Sequence, residues 1–258
     1  MRLVPALCSV TFRALAPEEI VALAAEADLV AIEWGGDVHV PPGDLDRARA
    51  VRALTERHGL RVSSYGSYLQ PPRDPPAVVA AALATAEALG APTIRVWAGP
   101  RGRDSADYAP AERQAVAAAL RAMTDAANDA GLAISLEYHP RTLTDDLASA
   151  RALLEAVARP NLYSYWQPRP GLPLATALTE LGALAPDLSH LHVFAWDDAA
   201  RRYPLADHES YWQSVFEAVR ESCWRGPRYA MIEFVQDDST AAFRRDAATL
   251  RRLLALTP

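Results

Sequence analysis

The strongest constraint on the fold of this chain is an alternation. Eight short apolar runs (LVPALCSV, LVAIEW, RVSSYGS, TIRVWA, LAISLEYH, LYSYWQ, LSHLHVF and YAMIEFV) are separated by longer, Ala-rich amphipathic segments. Each run is bounded by turn-forming or polar residues, as buried strands are. Segments such as DLDRARAVRALTERHG and AERQAVAAALRAMTDAANDAG carry helical periodicity between them. Gly59, Gly90 and Gly131 stand where left-handed helix caps are expected, and Pro17, Pro76 and Pro110 stand near helix starts. Asp238 or Ser239 is placed to cap the final helix. Strict alternation predicts a parallel sheet covered by helices. An open doubly wound sheet is the alternative. Eight units in 258 residues, close to the ~250 of a closed α/β barrel, predict one (β/α)8 TIM barrel spanning residues 1–258 as a single domain.

Strand periodicity then sorts side chains by face, because residues pointing into a barrel alternate with those facing its helices. Glu137 and His139 share a face with Ala133 and Ser135, while Ile134 and Leu136 oppose them. His190 and His192 oppose Leu191 and Val193; Arg95 and Trp97 oppose Ile94 and Val96; Met231 and Glu233 oppose Ile232 and Phe234. The same rule turns Glu33, Tyr165 and Gln167 inward. The inward positions therefore become charged toward the C-terminal strand ends, where α/β barrels carry their active sites.

Composition removes several chemistries. All 26 basic residues are Arg, so Schiff-base and pyridoxal-phosphate catalysis on a Lys of this chain, and a lysine P-loop, are excluded. The 32 acidic residues leave a formal charge of −6, which argues against a nucleic-acid partner. Cys8 and Cys223 form no metal or redox motif and are expected to pack as small core residues in a reducing compartment. The opening MRLVPALCSVTFR reads as a first strand rather than a signal peptide, and no run reaches the ~20 apolar residues of a membrane span. A cytoplasmic protein without membrane contact is expected.

ISLEYHPRTLTDD, LSHLHVFAWD and AMIEFVQDD carry Glu, His and Glu at the ends of the fifth, seventh and eighth runs. In these the chain resembles, over essentially its whole length, the xylose isomerase-like barrel superfamily of sugar isomerases and epimerases, inosose dehydratases and endonuclease IV. In the sugar-modifying members, strands five to eight supply Glu, Asp, His and Glu to one divalent metal. The resemblance implies Glu137, His192 and Glu233 as ligands, with Gln167 standing where the Asp is expected. Pro170 stands where those members often place a substrate-binding His, and the Asp that usually follows the strand-seven His is displaced to Asp197 or Asp198. A Gln carbonyl still coordinates but removes one negative charge, which lowers metal affinity and raises Lewis acidity. An oxygen-rich set with one imidazole suits Mn²⁺ or Mg²⁺.

The implied chemistry is proton transfer beside a carbonyl, with Glu137 and Glu233 as base and acid on opposite faces of a small sugar or polyol. Isomerisation, epimerisation and dehydration of a keto-sugar or inositol derivative share that first step. A metal-free pocket or a non-catalytic sugar-binding barrel is the alternative that Gln167 keeps open. The endonuclease relatives need a three-metal cluster, which six His, several outside the mouth, do not supply. Glu33, Tyr65, Arg95, Trp97, His139, Trp196 and Arg201 are the candidate substrate-binding residues, with Glu33 also the expected ion-pair partner of Arg95. Trp34 and Trp166 face the helices by parity, Trp212 and Trp224 read as packing residues, and His190 as a core histidine. His39 lies in a loop over the mouth, as lid or turn. By analogy with relatives, a homo-oligomer is expected.

Overall fold

The structure, a computed structural model, describes residues 3–256. Eight strands, β1 (Leu3–Cys8), β2 (Ala31–Gly35), β3 (Arg61–Gly66), β4 (Thr93–Val96), β5 (Ala133–Leu136), β6 (Leu162–Trp166), β7 (Leu188–Val193) and β8 (Arg228–Ile232), pair in sequence order into a closed barrel. All pairs are parallel, and β8 returns to β1 in register from Leu3 opposite Arg228 to Leu7 opposite Ile232. The closure rules out the open sheet. Around it stand α1 (Pro17–Glu26), α2 (Leu45–Arg57), α3 (Pro76–Leu89), α4 (Pro110–Asp129), α5 (Leu147–Val157), α6 (Leu174–Leu184), α7 (Glu209–Ala218) and α8 (Thr240–Leu256). None of the described helices is long and apolar enough to cross a membrane.

The element ends follow local chemistry. Pro17, Pro76 and Pro110 open α1, α3 and α4, where a missing N–H costs nothing. Gly90 ends α3 at φ +73°, a conformation that a Cβ would strain. Ser239 rather than Asp238 caps α8, accepting from the Ala242 N–H at 3.4 Å, because Asp238 is turned to Arg202.

The two faces of the sheet separate as alternation requires. Ile94, Val96, Ile134, Leu136, Leu191, Val193 and Ile232 are buried against the helices in one continuous core. Trp34 and Trp166 join them, donating to Thr55 Oγ1 on α2 (3.2 Å) and Glu180 Oε2 on α6 (3.0 Å). Inside the barrel, Ala6 and Ala31 leave room for Tyr165, Tyr229 and Met231. Trp224 closes the N-terminal end against Tyr163 (5.0 Å) and His190 (5.3 Å). His190 is a core histidine: burial lowers its pKa to about 3 and keeps it neutral.

One irregularity re-aims a side chain. Between β2 and β3 the register shifts at Ile32/Glu33, so Ser63 reaches Met231 Sδ (3.4 Å) and Ser64 reaches Glu33 Oε2 (2.7 Å). Two consecutive serines thus face inward, as a bulge allows. Tyr65 then turns outward and donates to the Val40 carbonyl at 2.8 Å. The expectation that Tyr65 lines the pocket is corrected by this shift. The expectation that Cys223 packs in the core is also corrected, since it lies exposed; Cys8 is buried.

Candidate active site

The C-terminal strand ends bring together Glu33 of β2, Arg95 of β4, Glu137 after β5, Gln167 after β6, His192 of β7 and Glu233 after β8. None is more than 7% exposed. A buried charge must be paired to be tolerated, and Arg95 does most of the pairing. Its Nε donates to Glu33 Oε1 at 2.9 Å and its Nη1 to Glu137 Oε2. Gly66 lets the guanidinium lie against β3, where a Cβ would stand 2.7 Å from Arg95 Nη2. Glu33 also accepts from the Tyr165 hydroxyl (2.9 Å) and the Cys8 thiol (3.2 Å), and the Trp97 indole donates to Glu137 Oε2.

His192 is the hub of the second half. Its Nδ1 lies 2.8 Å from Gln167 Oε1, 3.3 Å from Glu233 Oε2 and 3.8 Å from Glu137 Oε1. Its Nε2 has no hydrogen-bond partner and lies 3.6 Å from Glu33 Oε1. Burial is the largest influence and would raise the Glu33 and Glu137 carboxyls, but Arg95 and His192, with Ser64 at Glu33 and His139 near Glu137, together more than offset it and hold Glu137 below and Glu33 well below the ordinary range. Burial would lower His192, yet Glu233, with Cys8 and Glu33, pushes it well above its usual value. Among these residues three carboxylates face one guanidinium, so two negative charges are left for the imidazole or another cation to balance.

That donor set fits a divalent cation. Gln167 Oε1, Glu233 Oε2 and Glu137 Oε1 each approach His192 Nδ1 from successive strand ends, and among the described Cys, His, Asp and Glu residues Cys8, His192 and Glu233 bring donor atoms within 4.8 Å of one another. Glu137 keeps Oε1 on that side because Arg95 and Trp97 engage Oε2, the outer support that metal-binding carboxylates use. The two uncompensated charges equal those of one divalent ion.

A wall rises above the cluster. Trp97 packs edge-on to Tyr68 (5.2 Å) and near His139 (6.1 Å), with the Arg101 guanidinium 3.9 Å over its ring. Opposite strands supply Trp196, tilted against Phe194 (4.6 Å) and Phe234 (5.9 Å), with Arg202 5.6 Å away. Arg201 is not part of the wall: its side chain, 73% exposed, pairs with Asp197 at 2.6 Å. His39 is buried under the loop after β2, with Nδ1 2.9 Å from Ser9 Oγ, so it is a turn anchor.

Three site residues were not found from sequence. Tyr165 faces inward as alternation predicts, and its part in the site lies in the hydroxyl that reaches Glu33. Cys8 ends β1 on the face of Ala6, and that parity was the available signal. Tyr68 lies in an irregular loop at φ +60°, its ring 5.2 Å from the Arg95 guanidinium, and no periodicity reaches it.

Comparison with known proteins gives one consistent placement. A curated 3-dehydroshikimate dehydratase of Bacillus anthracis is 41% identical over 69 residues, which is 27% of this chain and 24% of that relative. The probable 3-DHS dehydratase AsbF of Bacillus anthracis superposes with a TM-score of 0.77 at 18% identity, over 96% of this chain and 99% of the other. A xylose isomerase-like TIM barrel protein from Mycobacterium smegmatis in complex with magnesium gives 0.71 at 16% identity, over 97% and 96%. D-allulose 3-epimerase from Methylomonas sp. gives 0.69 at 16% identity, over 98% of each chain. At such identities these structures speak for the fold alone. Residues 21–253 match the family description outright, and the chain belongs to the xylose isomerase-like TIM barrel family.

Proposed function

We propose that this chain is a divalent-metal-dependent isomerase or epimerase of a small sugar or polyol, acting by proton transfer at a carbon beside a carbonyl. The observation that carries the reading is the approach of Gln167, Glu233 and Glu137 oxygens to one imidazole nitrogen, His192 Nδ1, at 2.8, 3.3 and 3.8 Å. Glu137, Gln167, His192 and Glu233 would hold the ion. Bound there, a divalent ion supplies Lewis acidity toward the carbonyl and neighbouring hydroxyl oxygens of the substrate.

The chain's own residues divide the remaining work. Glu233 is the carboxylate that Arg95 does not engage, so it is free to take the C–H proton while the carbon's electron pair passes into an enediolate. Glu137, held ionised by Arg95, lies across the cluster as the second acid–base group. Return of the proton by Glu233 to the adjacent carbon would give isomerisation; for epimerisation the ionised Glu137 would take the C–H proton and a protonated Glu233 would deliver its own to the opposite face. Trp97 and Trp196 offer aromatic faces to the apolar face of a sugar ring, and His139 and Arg95 offer donors to its oxygens.

The local identity with a 3-dehydroshikimate dehydratase favours one second reading. The same proton abstraction, followed by loss of a β-hydroxyl as water, would make the chain a dehydratase. Two measurements decide. Metal analysis of protein purified without chelators should find one equivalent of divalent metal in the wild type and a deficit in Glu233→Gln. Incubation with keto- and aldo-sugars in deuterium oxide should place deuterium at carbon, whereas growth of conjugated-enone absorbance would identify a dehydratase. Metal-free wild type whose stability ignores chelator, with no exchange in any sugar, would overturn the proposal.

A further inference from the structure

Gln167 withholds a charge that the strand-six carboxylate would bring, and Cys8 sits where it can restore it. Cys8 ends β1 with its side chain fully buried at the mouth. Its Sγ, a ring nitrogen of His192 and a carboxylate oxygen of Glu233 all lie within 4.8 Å of one another. Donors on one tetrahedral ion stand about 3.5 Å apart at ordinary metal–ligand bond lengths. Small rotamer changes in Cys8 and Glu233 therefore close the set.

His192 supplies the independent observation. Its ring is wholly buried and its Nε2 has no hydrogen-bond partner, an expensive state unless something binds there. That edge faces Glu33 Oε1 at 3.6 Å, the same oxygen that accepts the Cys8 thiol at 3.2 Å. The thiol, the open imidazole edge and two carboxylates thus share one pocket.

We propose that Cys8 is a metal ligand of this site, joining His192 and Glu233, and that the site takes a thiophilic divalent ion, Zn²⁺ or Co²⁺, in preference to Mg²⁺. The inference rests on the metal-dependent reading above but puts the ion on the Nε2 edge of His192, leaving Gln167 Oε1 to accept from Nδ1–H, and it takes the place of the Mn²⁺ or Mg²⁺ expectation. On binding, the S–H bond breaks, the metal–sulfur bond forms and the proton leaves to solvent, with no change of oxidation state. Soft thiolate selects zinc and cobalt over magnesium, whose hard ion prefers oxygen.

Cobalt(II) titrated into the full-length protein separates this from the broader reading. One equivalent should give visible d–d bands together with a near-ultraviolet thiolate-to-cobalt charge-transfer band. The near-ultraviolet band should survive in Cys223→Ser and vanish in both Cys8→Ser and Cys8→Ala, with the d–d bands retained. Zn²⁺ affinity in Cys8→Ser should fall by at least the roughly 10–100-fold that altered metal surroundings cost. Visible bands that need Glu233 but come without a near-ultraviolet band in wild type would remove Cys8 and leave the metal reading standing. A near-ultraviolet band that persists in both Cys8 variants would do the same. Failure of wild type to retain either Co²⁺ or Zn²⁺ in equilibrium dialysis would overturn both.

Discussion

In the deeper layer of the barrel, Thr93 Oγ1 lies 2.9 Å from Ser135 Oγ, and Ser135 Oγ lies 3.0 Å from Ser189 Oγ. The chain ends on the Ser164 carbonyl, 3.1 Å from Ser189 Oγ. Two residues further along the same strands, Thr93 gives way to Arg95 and Ser135 to Glu137. There the groups are ionised, three carboxylates face one guanidinium, and His192 Nε2 stays unpaired. The Thr93–Ser135–Ser189 chain of the lower layer is neutral and closed on itself; the upper layer is charged and open. His190 Nε2 below is open too, but among the rings of Tyr165, Trp224 and Tyr229; the uncompensated charge beside the open His192 Nε2 is what marks the upper layer as the place a ligand completes.

The sharpest way to break that contrast is to remove one open donor. Glu233→Gln should lower kcat by about 10²–10⁴-fold, the range of a lost acid–base group, and weaken metal binding, with little change in urea midpoint. Steady-state rates and equilibrium dialysis would test it. Activity within about tenfold of wild type would mean that the open layer is not where chemistry happens.

Next in size is the charge pairing itself. Arg95→Met leaves Glu33 and Glu137 buried without their cation and should cost about 3–5 kcal/mol in urea unfolding. Adding Glu33→Gln and Glu137→Gln should return part of that loss. A single-variant cost below about 1 kcal/mol would show that water already reaches the cluster. In the lower layer the same kind of deletion should be mild. Ser135→Ala should cost about 1 kcal/mol and leave kcat/KM unchanged, since Thr93 and Ser189 keep the Ala133 and Ser164 carbonyls.

The upper layer was legible in the sequence wherever the strands are regular. Two-residue alternation turns Arg95, Glu137, His192 and Glu233 inward on its own, with Ile94, Leu136, Val193 and Ile232 as the aliphatic check. It fails where the backbone departs from period two. The bulge beside Glu33 gives the inward place to Ser64 and sends Tyr65 outward. Arg201 and Tyr68 lie on loops, where partners are set by tertiary contacts: Asp197 holds the first away from the site, and Arg95 and Arg13 hold the second in it. Cys8 was hidden for another reason, since a buried thiol and an aliphatic residue look alike in a hydrophobic pattern.

A buried acid outside the barrel sharpens the comparison further. Asp246 on α8 accepts the Leu205 N–H at 2.9 Å. Burial pushes its carboxyl above the ordinary value, the Leu205 N–H and Arg245 opposing it only in part. Glu33 and Glu137 move the other way because Arg95 is in contact with them. A raised folded-state pKa means that the folded chain holds a proton the unfolded chain has released, so this group's contribution is fully present below the ordinary aspartate value of 3.8 and is lost as pH rises through the raised pKa. Asp246→Asn keeps an oxygen for Leu205 and removes the titration. The variant should therefore gain on wild type as pH rises from about 4 toward 7, by an amount smaller than either mouth substitution costs. Urea unfolding of both proteins across that interval measures it. A difference that stays flat, or that favours wild type more as pH rises, would mean that the surroundings of Asp246 hold its charge as firmly as Arg95 holds the charges of the mouth.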